Sequence, residues 1–182
     1  VQAPAAEENI DQTKTVPLEK YTYHESSSSN AQDQEALLFE SIFNIVNSWE
    51  KELNIQKIVN DIGVGVPNGN YFTGMVSQPP NLGKGWDELN LCELIKSYLN
   101  VPVTITNDAN AAALGEKLFG VAKKMNNAIL ITLGTGLGSG IIVNGKILYG
   151  HDGFAGELGH LIVEQDGREC GCGRFGCLEM YV

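Results

Sequence analysis

The first 34 residues of this chain contain no glycine, which excludes a glycine-built phosphate loop from that stretch. Basic residues are scarce, 12 Lys and Arg against 22 Asp and Glu, for a net charge of −10. No basic stripe is present anywhere, and a phosphate backbone is held by clustered cations, so nucleic acid is excluded as a direct partner of this segment. No apolar run approaches the length needed to cross a bilayer. The opening Val1-Gln2-Ala3-Pro4-Ala5-Ala6-Glu7-Glu8 has neither a charged n-region nor an apolar h-region, and so is not a signal peptide. Cysteine is sparse too, at four residues. Three of them crowd together near the end of the chain.

What is present is the composition of a folded protein: 182 residues, 43% hydrophobic and 19% charged, enough for one domain or pieces of two. The polar Ser26-Ser27-Ser28-Ser29-Asn30 reads as a loop after a strand-like stretch at Thr15 to His24. From Asp33, apolar residues at three- and four-residue steps (Leu37, Leu38, Ile42, Ile45, Val46, Trp49) predict a helix closing near Leu53-Asn54. Ile55 to Val66 reads as a buried strand ending in the turn Pro67-Asn68-Gly69-Asn70. A loop at Gly83 to Gly85, a helix from Trp86 to Leu99 and a strand from Val101 to Thr106 follow. Asn107-Asp108 then caps an alanine-rich helix, and Ala128 to Leu133 is again a β run. Gly134 to Gly140 reads as a glycine loop between strands, and Asn144-Gly145 is a strong hairpin signal between Ile141-Ile142-Val143 and Ile147-Leu148-Tyr149. Alternating strands and helices predict an α/β architecture.

The densest chemistry lies in Glu157-Leu158-Gly159-His160 and Cys170-Gly171-Cys172-Gly173-Arg174-Phe175-Gly176-Cys177-Leu178-Glu179. One His and three Cys make a ligand set for a closed, structural tetrahedral zinc. A disulfide or a set of core residues would also place thiols together, but an odd trio beside a histidine favours metal. Thiols arranged for metal, with no signal peptide, point to the cytoplasm. Glu157 and Glu179 flank the set and are left free for another ligand.

Gly134-Thr135-Gly136 exposes successive backbone N–H groups that could cradle a phosphate, or it is merely a tight hairpin. Asn107-Asp108 sits where α/β sheets place ligand contacts, although an Asp there can serve only as a cap. A carboxylate beside a phosphate loop can take a proton from an alcohol as a phosphoryl group arrives. Asn107, Asp108, Glu157, His160 and Glu179 supply the donors and acceptors that a polyhydroxylated ligand requires.

These residues resemble the ROK family of repressors and sugar kinases, from about Ile55 to the last residue. The resemblance rests on Glu157-x-Gly159-His160, Cys170-x-Cys172-Gly173-x-x-Gly176-Cys177-x-Glu179, Asn107-Asp108-Ala109-Asn110-Ala111-Ala112, Leu133-Gly134-Thr135-Gly136-x-Gly138, and Pro80-Asn81-Leu82 followed by Trp86. It implies a two-domain fold similar to actin and hexokinase (ribonuclease H-like), here present only in part. A sugar-side domain over 1–106 would meet a nucleotide-side domain over 107–182. It implies ATP-dependent phosphorylation of a hexose or N-acetylhexosamine at the C6 hydroxyl, with Asp108 as general base and Mg2+ accompanying ATP. Asn81, Asn107, Glu157, His160 and Glu179 would bind the sugar, and Gly134, Thr135 and Gly136 the ATP phosphates. His160, Cys170, Cys172 and Cys177 would hold zinc, with the second ring nitrogen of His160 free for sugar.

A homodimer is implied as well. The alternative within the family is a sugar-sensing repressor, but residues 1–54 show no helix-turn-helix, leaving nucleic-acid binding to an additional N-terminal domain. The family's first Asp-x-Gly-Gly-Thr loop is absent and the chain stops where a new helix is expected. The sequence therefore reads as an internal fragment that would be inactive alone. Asn68 replaces the Gly that commonly follows Pro in this family, and Asn is among the residues that tolerate left-handed backbone.

Overall fold

The computed structural model describes residues 41, 43–52, 59–79 and 86–182. The strand-like stretch expected at Thr15 to His24, the serine loop, the loop at 83–85 and Asn81 lie outside these residues. A helix over 43–52 (α1) falls within the span expected from Asp33 to Asn54. It belongs to a unit separate from the one that begins at Val59, and the description below concerns the latter.

Two parallel strands open that unit. β1 (Ile62–Gly65) pairs with β4 (Val103–Thr106) in the register Ile62 to Val103 through Gly65 to Thr106. The expected strand from Ile55 is thus shorter at its described end, because Asn60 forms a bend and the extended run begins only at Ile62. Pro102 stays outside the ladder, yet its carbonyl still accepts from the Ile62 N–H at 2.9 Å. Between the paired strands lie the short antiparallel β2 (Met75–Val76) and β3 (Leu89–Asn90), then α2 (Leu91–Tyr98). The helix expected from Trp86 therefore starts five residues later, at Leu91. Leu89 and Asn90 are drawn into pairing with β2, and the Asn90 side chain caps α2 by accepting from the Glu93 N–H at 3.1 Å.

α3 (Asp108–Leu118) follows β4 directly and buries Ala109, Asn110 and Ala113. It packs against the antiparallel sheet of β5 (Ala128–Leu133), β6 (Leu137–Val143) and β7 (Lys146–Ile147). β5 spans the residues the sequence predicts. The glycine run does not: β6 begins at Leu137, so Gly138, Ser139 and Gly140 are strand, and the loop shrinks to Gly134-Thr135-Gly136. The physical reason is packing. A Cβ at Gly140 would lie 2.5 Å from the Ala113 Cβ and 2.8 Å from the Ala109 carbonyl, so glycine lets the alanine face of α3 settle on the sheet.

Asn144 (φ 51°) and Gly145 (φ 79°) form the left-handed pair that the β6–β7 hairpin requires. The third strand is shorter than expected, ending at Ile147. At the end of the chain, Leu178–Tyr181 forms a 3-10 turn in place of the expected helix start. Among the described residues no helix is long and apolar enough to cross a membrane.

Candidate functional site

A cleft of about 340 Å3 opens where the carboxyl ends of β1 and β4, the β5–β6 turn and the segment around the cysteines meet. Asn107 and Asp108 enter it from the β4–α3 junction. Asn107 performs the capping, its side-chain oxygen accepting from the Ala109 N–H at 2.8 Å. With the cap supplied by its neighbour, the exposed Asp108 is not needed to start the helix. One of its carboxylate oxygens also accepts from Ala109, at 2.9 Å. The sequence left open whether Asp108 is only a cap; in the structure the Ala109 N–H is shared between Asn107 and Asp108, and the Asp108 carboxylate also lines the cleft.

Opposite lies the three-residue turn Gly134-Thr135-Gly136, closed by the Gly134 N–H donating to the Gly136 carbonyl at 3.0 Å. A Cβ at Gly136 would come within 2.6 Å of a Glu179 carboxylate oxygen, so glycine there leaves room for the carboxylate beside the turn. Glu157, His160 and Glu179 complete the wall. Desolvation in the cleft raises the Glu157 carboxyl above its ordinary range; His160 opposes the shift, and Asp108 and Glu179 add to it.

His160 sits in a 3-10 turn (Leu158–His160) and Glu179 in the turn at the chain's end, which brings both to the cysteines. His160 Nδ1 lies 3.3 Å from Glu179 Oε1 and 3.7 Å from Cys170 Sγ. Cys172 Sγ and Cys177 Sγ are also 3.7 Å apart, and the Cys170 thiol donates to Glu179 at 2.8 Å. The ligand atoms of His160, Cys170, Cys172 and Cys177 all lie within 4.8 Å of one another. Sulfurs bound at about 2.3 Å to one tetrahedral centre would be about 3.8 Å apart, so the donor set fits zinc in number, type and spacing.

Glycines shape this cage. Gly173 and Gly176 have φ of 82° and 78°, and a side chain at Gly176 would run into the Glu164 carbonyl. Burial pushes the Cys170 thiol up to about 12, whereas the Arg174 side chain lowers Cys172 to about 6, toward the thiolate that binds metal.

All the described residues expected at the site therefore meet at one cleft or at the His–Cys cluster beside it; Asn81 alone is outside the described residues. Sequence reasoning missed three contributors. Pro67 and Asn68 line the cleft, and Thr132 reaches it from β5. Asn68 did carry a signal, as a non-glycine in a glycine position. It adopts φ 54° and steadies the turn by donating from Nδ2 to the Ser77 and Gln78 carbonyls at 3.0 and 2.9 Å.

Comparison with known proteins fits this geometry. The chain is 40% identical over 157 residues to a glucokinase of Halalkalibacterium halodurans, covering 83% of this chain and 46% of that protein. It is 33% identical over 171 residues to the xylose repressor of Bacillus subtilis, covering 92% of this chain and 42% of the repressor. Among solved structures, the ROK family glucokinase of Streptomyces griseus in complex with glucose and AMPPNP matches with a TM-score of 0.63 and 37% identity. That match covers 79% of this chain and 46% of the other. The chain thus spans under half the length of each of these relatives, and its mixed α/β fold is part of the sugar-kinase fold. The ROK family model matches residues 13–182, and the chain belongs to the ROK family.

Proposed function

We propose that the whole protein to which these residues belong is an ATP-dependent sugar kinase that phosphorylates the C6 hydroxyl of a hexose or N-acetylhexosamine. The observation that carries this reading is the shared cleft, in which the Asp108 carboxylate faces a glycine turn and a wall of polar side chains. Asp108 is the general base, accepting the proton of the hydroxyl as the phosphoryl group arrives. Asn107, Glu157, His160 and Glu179, with Asn81, hydrogen-bond the remaining hydroxyls. Gly134, Thr135 and Gly136 present backbone N–H groups and a hydroxyl to the ATP phosphates, which bring Mg2+ with them.

His160, Cys170, Cys172 and Cys177 hold a structural zinc, which when bound ties the two halves of the cysteine segment together. His160 turns Nδ1 toward the cage, leaving its other nitrogen for sugar. In this reading residues 1–106 form the sugar side and 107–182 the nucleotide side of a cytoplasmic homodimer.

A sugar sensor is the second reading. It is favoured by one observation, the repressor relative that matches 92% of the chain. Retention of Asp108 beside the glycine turn favours the kinase, since binding alone requires no base. The deciding experiment is ADP release by the whole protein against a panel of hexoses and N-acetylhexosamines, with Asp108→Asn as control. Sugar-dependent release that falls at least ~100-fold in the mutant is the expected result. Sugar binding without ADP release would establish the sensor.

A further inference from the structure

Thr132 lines the cleft but belongs to none of the motifs that marked the site in the sequence. Along β5 the side chains alternate: Ile129, Ile131 and Leu133 point outward and are exposed, whereas Ala128, Leu130 and Thr132 lie on the face packed against α3. Thr132 is the one polar residue on that inward face, at the strand end that reaches the cleft. Valine has the same branched shape, so packing gives no reason for the hydroxyl. Among the described residues the hydroxyl has no hydrogen-bond partner, yet solvent reaches it. A polar group that folding leaves unpartnered at the edge of a cleft is free to bond whatever fills that cleft. Its surroundings set it beside both halves of the proposed chemistry. Thr132 pairs with Gly138 across the β5–β6 ladder. A Cβ at Gly138 would stand 2.6 Å from Thr132 Oγ1 and 3.1 Å from the Ala109 Cβ. Glycine at 138 therefore leaves the hydroxyl uncovered beside the first turn of α3, where Asp108 precedes Ala109. The turn Gly134-Thr135-Gly136 begins two residues further along the chain.

We propose that Thr132 is a catalytic residue whose hydroxyl donates a hydrogen bond to the phosphoryl group as it passes from ATP to the sugar. This rests on the sugar-kinase reading above. In that step the bond between the γ-phosphorus and the ADP oxygen breaks while a bond to the sugar oxygen forms. The electron pair leaves with ADP, and Asp108 takes the proton of the attacking hydroxyl. Thr132 forms no covalent bond. It faces the charge that spreads over the transferring oxygens, and a donor fixed on a strand needs no reorganisation to meet it.

The test uses the full-length protein. Thr132→Val deletes the hydroxyl and keeps the shape, whereas Thr132→Ser keeps the hydroxyl and loses a methyl. In Thr132→Val, kcat should fall about 100-fold while the calorimetric Kd values for sugar and for AMPPNP stay at wild type. Its melting temperature should be no lower than wild type, because no protein hydrogen bond is lost. Thr132→Ser should recover most of the turnover. An unchanged kcat in Thr132→Val overturns the proposal, and the activity of the wild type then leaves the kinase reading standing. An equal loss in Thr132→Ser also overturns it, by tracing the defect to shape. Weaker AMPPNP binding with kcat unchanged at saturation would make Thr132 a nucleotide contact only, which overturns the catalytic role. If Thr132→Val does not fold, Thr132→Ala against Thr132→Ser decides by the same readout. A wild-type protein that releases no ADP with any sugar of the panel removes the kinase reading and this proposal with it.

Discussion

Neighbouring residues at the β4–α3 junction divide two tasks between them. Asn107 caps the helix as well as lining the cleft, whereas Asp108 contributes its carboxylate to the cleft, so Asn107→Ala should cost stability that Asp108→Asn does not. Asn107→Ala removes an N-cap, which costs about 1 kcal/mol. In a chain of this size that lowers the melting temperature by about 2–4 °C, as thermal denaturation would show. Asp108→Asn keeps an acceptor for the Ala109 N–H and should melt as wild type does while losing its turnover. If Asp108→Asn melted well below wild type, Asp108 would be a structural residue and its assignment as base would need another foundation. The division was half legible in the sequence. Asn-Asp at a strand end identifies a cap and a carboxylate, but not which residue does which until the hydrogen bonds are seen.

At the scale of elements, glycine shows where a sequence speaks ambiguously. Gly134 to Gly140 reads as one loop because glycine serves both turns and close packing, and the chain does not say which. The structure assigns the first use to Gly134 and Gly136 and the second to Gly138 and Gly140 against α3. Opposite outcomes are expected from one substitution at two positions, one on this contact and one away from it. Gly140→Ala forces a methyl against Ala113 and should destabilise by about 1–3 kcal/mol. Gly115→Ala, with no described atom within 4 Å of the added Cβ, should stabilise α3 by up to about 1 kcal/mol through helix propensity. Denaturant melts of the two variants would check both signs. The same limit explains α2: its apolar spacing was legible, but its start depended on β3 pairing with the distant β2. Asn144-Gly145 was read correctly because its left-handed backbone is favoured by its own two residue types, even though its N–H groups also donate to Asn127 and Asn126.

Across the whole molecule, the cleft is assembled from segments that share no local contact in sequence, and the cysteine cage is what joins the last of them. His160 and Glu179 reach the wall from two short 3-10 turns, elements too brief to hold a fixed geometry by their own hydrogen bonds. The backbone pairing that links them is short: the Ile162–Cys177 bridge, the Leu178 N–H on the Leu161 carbonyl at 2.8 Å, and the Val163 and Glu164 N–H groups on the Gly176 carbonyl at 2.8 and 3.4 Å. Beside it stand buried thiols, Cys170 at 2% exposure and Cys177 at 0%. Leu161, Ile162, Val163 and Phe175 around them are more than half exposed, so this segment has little core of its own. On the proposed zinc reading, metal binding at this segment contributes to the folding free energy.

Chelation of the full-length protein at neutral pH should lower its melting temperature and speed exchange in residues 157–179 before it affects β5. Cys177→Ser should reproduce both effects without chelator. The sequence allowed this much to be foreseen, since ligand type and spacing are local. Dependence of the sugar wall on the cage was not legible, because it arises only when Glu179 folds back to His160 at 3.3 Å. An unchanged melt after zinc removal verified by elemental analysis would show that the wall stands without the metal.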